Sequence, residues 1–407
     1  MKKFFALMLS LMMILGAVSF SASAETVPAD QMKIGYIVIG DENEGYSANH
    51  LNALNKAIAN LGISSEQVLI KYNIPETEEA YDAAIDLVDQ GCNIIFATSL
   101  FHESYIIQAA IENPDVQFCH ATGTNASLVN LPNFHNYFTA IYEGRYATGI
   151  VAGMKLNEMI NNGTITAEQA KMGYVGAFPY AEVISGFTAF YLGAKSVCPS
   201  VTMEVKYTNS WGDNDLEATA ASALIDDGCV LLSQHADTTG APSTCEQRGV
   251  YCVGYNIDMT SVAPNTALIS SACNWSAYVQ YALECVINGT EISSDWSGGF
   301  STEAVFVTDL NEKIAAEGTQ AALDATIQQF HEGTIKVFDT QTFTVPAAED
   351  GSYTVDEAGH LTAAFAIDSD GDWVNDSVEA VIDGEYKESF VRSAPYFALI
   401  IDGIEVK

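Results

Sequence analysis

A six-residue block occurs twice in this chain, as Leu87-Val88-Asp89-Gln90-Gly91-Cys92 and as Leu224-Ile225-Asp226-Asp227-Gly228-Cys229. Each copy closes a helix-like stretch, turns at a glycine and opens into an apolar run. An aromatic-Cys pair follows each in turn, Phe118-Cys119 and Tyr251-Cys252. Around the first copy, β-rich runs at Lys33 to Ile39, Val68 to Tyr72, Asn93 to Thr98 and Val116 to His120 alternate with helical segments near 47–62, 77–90 and 102–112. Around the second, runs at Lys171 to Gly176, Val201 to Tyr207, Val230 to Gln234 and Val250 to Gly254 alternate with segments near 180–196, 213–227 and 240–248. Strands that alternate with helices in this way form parallel sheets covered on both faces. Two such series predict an α/β protein of two similar lobes.

The first residues read as a processing signal. Lys2 and Lys3 precede an apolar run from Phe4 to Phe20, and Ala22-Ser23-Ala24 offers small residues for cleavage before Glu25. Export across the cytoplasmic membrane is therefore expected, to a periplasmic or extracellular location. An uncleaved anchor helix is the competing reading, disfavoured by the short apolar run. No Cys follows that run, so lipidation is not expected. Without residues 1–24 the chain loses two lysines and no acids, leaving 14 basic against 52 acidic side chains, a net charge of −38. Such a balance excludes a nucleic-acid footprint or binding to anionic lipid. A hydrophobic fraction of 48% is too high for an acidic disordered chain and supports large cores.

Connections between the lobes follow from the order of strands. The run Phe134-His135-Asn136-Tyr137-Phe138 ends lobe one, with a first crossover near residue 138. The strand Ala267 to Ser270 returns the chain to lobe one, and residues near 298–305 lead back to lobe two. The expected organisation is a leader at 1–24, lobe one from 25–138 and 269–297, and lobe two from 139–268 and 298–345. A β-rich extension at 346–407 packs on lobe two. Three crossovers make a hinge of the kind that closes around a ligand. The spaced glycines Gly144, Gly149 and Gly153 read as close helix packing, since Glu143, Arg145 and Lys155 could not be left in lipid.

Polar and aromatic residues just beyond strand ends face the ligand crevice of an open α/β sheet. Tyr46, Phe178, Trp211 and Trp275 fall there or at helix starts, and their ordinary alternative is core or lobe interface. Ser99 follows a strand of lobe one, and Asp237 and Asp258 follow strands of lobe two. A carboxylate so placed can accept charge-assisted hydrogen bonds from a ligand; the alternative is helix N-capping.

The closing stretch Gly254-Tyr255-Asn256-Ile257-Asp258-Met259, followed by Ser261 to Ser270 and Asn274-Trp275, resembles that of the basic membrane protein family, the purine receptors of certain ABC importers. Further blocks in the same order carry the resemblance over roughly 33–340. They are Phe134 to Phe138 with Ile141-Tyr142-Glu143-Gly144-Arg145-Tyr146, Gly173 to Pro179 with Glu182 to Gly186, Thr208-Asn209-Ser210-Trp211 and Gln234-His235-Ala236-Asp237. The opening loop Gly45-Tyr46-Ser47 is similar to one branch of that family. The resemblance implies a type I periplasmic-binding-protein fold with a three-crossover hinge. It also implies a non-enzymatic receptor that captures a purine nucleobase or nucleoside and delivers it to a membrane permease.

Carried over residue by residue, that resemblance makes Tyr46, Ser47, Ser99, Phe178, Trp211, Asp237, Asp258 and Trp275 the candidate ligand contacts, with Asp258 above Asp237. Aromatic rings would sandwich the purine and carboxylates would read its edge. Cys273-Asn274-Trp275 stands where many relatives have a lysine, which shifts weight towards a free nucleobase. A monomer is expected. The rivals are a sensor subunit of the same fold and a carboxylate-dependent hydrolase.

No Gly-x-Gly-x-x-Gly follows the first strand and no Walker-type sequence occurs, so no phosphate cradle and no cofactor are expected. The histidines and cysteines lack zinc spacings. Asp368 to Glu379 has oxygens at EF-hand positions 1, 3, 5, 9 and 12, but Trp373 occupies position 6, where glycine permits the turn. An acidic hairpin turn is the favoured reading, and no metal site is assigned. The eight cysteines leave two readings open: one disulfide per lobe, Cys92 to Cys119 and Cys229 to Cys252, or buried free thiols, which the stagger of the strands favours.

Overall fold

A computed structural model describes residues 26–348, 351–367 and 376–407. The expected leader and most of the acidic Asp368 to Glu379 loop lie outside the described residues.

The first lobe begins with β1 (Ile34–Ile37), α1 (Gly45–Leu61), β2 (Val68–Lys71), α2 (Glu79–Asp89), β3 (Ile94–Ala97), α3 (Glu103–Glu112), β4 (Gln117–Ala121), the short α4 (Ala126–Val129) and β5 (Phe134–Thr139). The second holds α5 (Ile141–Asn161), β6 (Lys171–Gly176), α6 (Ala181–Val197), β7 (Thr202–Tyr207), α7 (Asn214–Asp226), β8 (Leu231–Gln234), α8 (Gly240–Arg248), β9 (Tyr251–Tyr255) and β10 (Ala267–Cys273). Next come α9 (Ser276–Asn288), β11 (Asp295–Gly298), β12 (Val305–Val307) and α10 (Thr319–His331). One sheet has the order β11-β5-β4-β3-β1-β2, all parallel. The other has β12-β10-β9-β8-β6-β7 and, at its edge, the last strand β18 (Ile404–Val406), parallel except for β12. Continuous apolar runs such as Ile34–Ile37 and Ile94–Ala97 are buried at every residue, as strands covered on both faces must be.

The chain leaves the first sheet after Thr139, leaves the second after Cys273 and crosses again between Gly298 and Val305. The second crossing falls later than the sequence suggests. The strand expected to return to lobe one stays in the second sheet to Cys273, because Ser271 to Cys273 pair with Val305 to Val307 of β12. The turn to lobe one starts at Asn274, whose backbone N–H donates to Ala304 O. Helix α9 then packs on α1.

Helices α5 and α6 touch backbone to backbone. A Cβ at Gly149 would lie 2.1 Å from Phe190 O, and one at Gly193 would lie 2.1 Å from Tyr146 O. Only glycine allows that approach, and it is the close packing read from the spaced glycines. All eight cysteines are free and buried. Cys92 lies in the turn two residues before β3 while Cys119 sits two residues inside β4, and each fills apolar space.

The tail carries β13 (Tyr353–Val355), β14 (Leu361–Ile367) and β15 (Ser377–Glu379) as an antiparallel sheet. The hairpin β16 (Val381–Ile382) and β17 (Glu385–Tyr386) turns at Asp383-Gly384, both with positive φ. The last strand, β18 (Ile404–Val406), extends the second sheet beside β7. The tail also reaches the first sheet: Ser393 N–H donates to Asp295 Oδ1 on β11 at 3.0 Å. On the other side the Tyr142 hydroxyl of α5 donates to Glu388 O at 3.3 Å.

Candidate functional site

A cavity of about 420 Å³ lies between the C-terminal ends of the two sheets. Lobe one supplies the β1–α1 loop with Gly40, Glu44 and Tyr46, together with Thr98 and Ser99 after β3. Lobe two supplies Phe178 after β6, Asn209 to Gly212 after β7, His235 and Asp237 after β8, and Tyr255 ending β9. Parallel strands all deliver their ends to the same edge, so residues far apart in sequence converge there.

The lobes meet around this cavity. A Cβ on Gly45, at the start of α1, would stand 2.8 Å from Asp237 O of lobe two. Asn49 Nδ2 donates across the gap to Cys273 O at 2.8 Å. At the rim Phe101 meets Tyr180 edge to face, with centroids 6.2 Å apart.

The lobe-two wall is aromatic. Phe178 lies 5.0 Å from Trp211 at 62° and 5.2 Å from Tyr180 in a stacked pair. Tyr255 is fixed from behind by the buried Arg145 guanidinium, 3.7 Å over its ring. Arg145 also donates to Gln234 O at 2.7 Å and approaches His235 Nδ1 at 3.4 Å. An arginine can only donate, so Nδ1 accepts and the His235 Nε2–H donates to Glu182 Oε1 at 3.2 Å. Burial holds His235 below its usual value, with the Glu182 hydrogen bond opposing and Arg145 assisting. On lobe one the Tyr46 hydroxyl donates to Thr98 O at 2.6 Å, and burial pushes its pKa well up.

Three carboxylates line the cavity. Glu44 caps α1, accepting from Tyr46 N–H at 2.6 Å and Ser47 N–H at 2.8 Å. Glu182 holds His235. Asp237 accepts from Asn256 Nδ2 at 3.4 Å, and burial, then Glu44, Glu217 and Glu182, raise its carboxyl well above the ordinary range. Among the described residues no cluster of side chains is arranged to hold a metal ion.

Five of the eight residues singled out from sequence border the cavity: Tyr46, Ser99, Phe178, Trp211 and Asp237. Three do not. Ser47 is buried beneath the opening loop, where its hydroxyl accepts from Gly40 N–H at 3.0 Å. Trp275 is fully buried in lobe one, stacked on His50 at 4.4 Å and edge-on to Tyr137 and Phe138. Asp258 is exposed and caps the short turn Met259–Ser261, accepting from Thr260 N–H at 2.8 Å. Both acted out their ordinary alternatives, core and cap. The sequence reading does not single out Glu182, His235 and Tyr255, although all three lie inside the motifs quoted there, nor Glu44, which directly precedes the opening loop Gly45-Tyr46-Ser47.

Two lobes hinged by three crossings around an inter-lobe cavity define a solute-binding protein. The sequence model of the Bmp family, described as ABC transporter substrate-binding protein PnrA-like, matches residues 33–340. The chain belongs to this family. It is 32% identical over 300 residues to a purine-binding protein of Brucella abortus, covering 72% of this chain and 81% of that one. It is equally 32% identical over 225 residues to a Haloferax volcanii protein named for glucose binding in an ABC transporter, covering 55% of this chain and 54% of that one. Among solved structures, a solute-binding protein from Aeropyrum pernix superposes with a TM-score of 0.62 at 15% identity, covering 78% of this chain and 95% of that one. One from Conexibacter woesei gives 0.60 at 21% identity, covering 75% and 98%. These share the fold.

Proposed function

We propose that this protein is an extracytoplasmic receptor of an ABC importer that traps a purine nucleobase or nucleoside between its lobes and hands it to the membrane permease. The observation that carries the reading is the pairing of an aromatic wall, Phe178 and Trp211, with the acceptors Glu182 and Asp237 in one cavity. A purine has two π-faces and a polar rim, and the two kinds of surface match them. The volume falls in the range of small-molecule sites, about 300–1,000 Å³. The purine-binding name of the Brucella relative supports the same ligand class.

In this reading the leader at residues 1–24 is removed on export, the lobes close about the three crossings, and no reaction is catalysed. Ligand binding shifts an open–closed equilibrium towards the form presented to the permease. The test is a thermal-shift screen of purines, nucleosides and sugars, since a ligand confined to the native state raises the melting temperature by mass action. Purines are expected to raise it and glucose to leave it unchanged. A clear shift with glucose and none with any purine refutes the assignment.

A further inference from the structure

The cavity is built to accept hydrogen bonds, and its charge is one-sided. Glu44, Glu182 and Asp237 line it, and neither a lysine nor an arginine does. Arg145 stands behind Tyr255 with one arm given to Gln234 O, so its charge is spent within lobe two. His235 is neutral, its one proton directed to Glu182. Glu44 uses both oxygens at the start of α1. Glu182 and Asp237 differ from it: each has one oxygen engaged by the protein, by His235 and Asn256, while the other takes no hydrogen bond from the described residues. Two acceptors therefore remain open on the lobe-two side of the cavity, and a ligand donor meeting Asp237 would offset the burial and neighbouring carboxylates that raise its carboxyl.

Resting on the purine reading of this site, we infer that the cleft selects 2-aminopurines, the guanine type, whose rim presents a ring N–H beside an exocyclic NH₂. Its two adjacent donors can each meet one of the two open oxygens, and hydrogen bonds to a carboxylate are the strong, charge-assisted kind. A 2-oxopurine such as xanthine keeps its ring N–H but puts carbonyl lone pairs where the 2-amino donor stood, setting them against Glu182 and Asp237. Adenine and hypoxanthine, each with fewer donors on that edge, fall between. A 5′-phosphate adds charge to a cavity without a cation to receive it.

Calorimetric titration of the full chain tests this, using guanine and guanosine against xanthine and xanthosine, with guanosine 5′-monophosphate alongside. The 2-amino member of each pair is expected to bind at least about tenfold tighter, the effect of losing one charge-assisted hydrogen bond. The monophosphate is expected to bind more weakly than guanosine. Asp237→Asn or Glu182→Gln should shrink the amino-over-oxo ratio, with the melting temperature of the free protein reporting that the variants fold. If purines bind but the 2-oxo form matches or exceeds the 2-amino form, the inference is overturned and the purine reading stands. If no purine binds, both fall together.

Discussion

Gly45 is where closure of the lobes is most exposed to a single substitution. A methyl group there would sit 2.8 Å from Asp237 O, about 0.6 Å inside the 3.4 Å at which ordinary contact begins, and the obstacle is backbone. Gly45→Ala therefore forces the lobes apart at the cavity in the closed form and meets nothing from lobe two once they separate. Overpacking of this size costs about 1–3 kcal/mol, which reads as roughly a 5- to 150-fold loss of purine affinity. The free protein should behave oppositely. Gly45 opens α1, and alanine favours helix over glycine by up to about 1 kcal/mol, so the unliganded melting temperature should hold or rise. Titration calorimetry and unliganded melting curves, measured on the same preparations, give the two signs separately. Wild-type affinity in Gly45→Ala would refute the claim that the close approach at Asp237 belongs to the ligand-binding form; a lower unliganded melting temperature would refute the assignment of the clash to closure alone.

Four further outcomes can be checked. Trp211→Ala should weaken purine binding by roughly 5- to 150-fold through lost stacking, about 1–3 kcal/mol, while the fold persists by circular dichroism. Trp275→Ala should instead destabilise the chain by about 3–5 kcal/mol, as loss of a buried aromatic does, seen in denaturant unfolding. Asp258→Asn should leave affinity at the wild-type value in the same titrations, because that side chain caps an exposed turn. Glu388 is buried between α6 and the tail, and burial raises its carboxyl to about 7. The folded chain then keeps this proton to higher pH than the unfolded one, so its contribution to stability is lost as pH rises from about 4.5 towards 7 and is level above. Glu388→Gln, which keeps an acceptor for Tyr396 and Phe397 N–H, should flatten that decline in melting temperature against pH.

The two sheets were legible because a parallel strand covered on both faces is written as an unbroken apolar run, and the glycine before the cysteine of each repeat marks the turn into it. Gly91 and Gly228 both adopt positive φ, 84° and 91°, the conformation the repeat requires of them. Crossovers were less legible. Whether Ser271 to Cys273 stay in the second sheet depends on β12, more than thirty residues later, and no local pattern announces that partner.

The site shows the same division between what a residue's position settles and what only its direction settles. Position after a strand brought Tyr46, Ser99, Phe178, Trp211 and Asp237 to the cavity, since strand ends share one edge. Direction separated Trp275 and Asp258 from them. Trp275 also follows a strand end, but its ring turns beneath α1, where His50 offers a flat face at 4.4 Å and 12°. Cavity wall and lobe core ask for the same kind of residue, so hydrophobicity cannot distinguish them. Asp258 satisfies the next turn's N–H within two residues, a local contact that any Asp at a loop end can make in place of a ligand. Glu182 and His235 were passed over for the converse reason. They stand 53 residues apart and form a pair only because α6 begins beside the end of β8, with Arg145 behind fixing which nitrogen of the ring carries the proton.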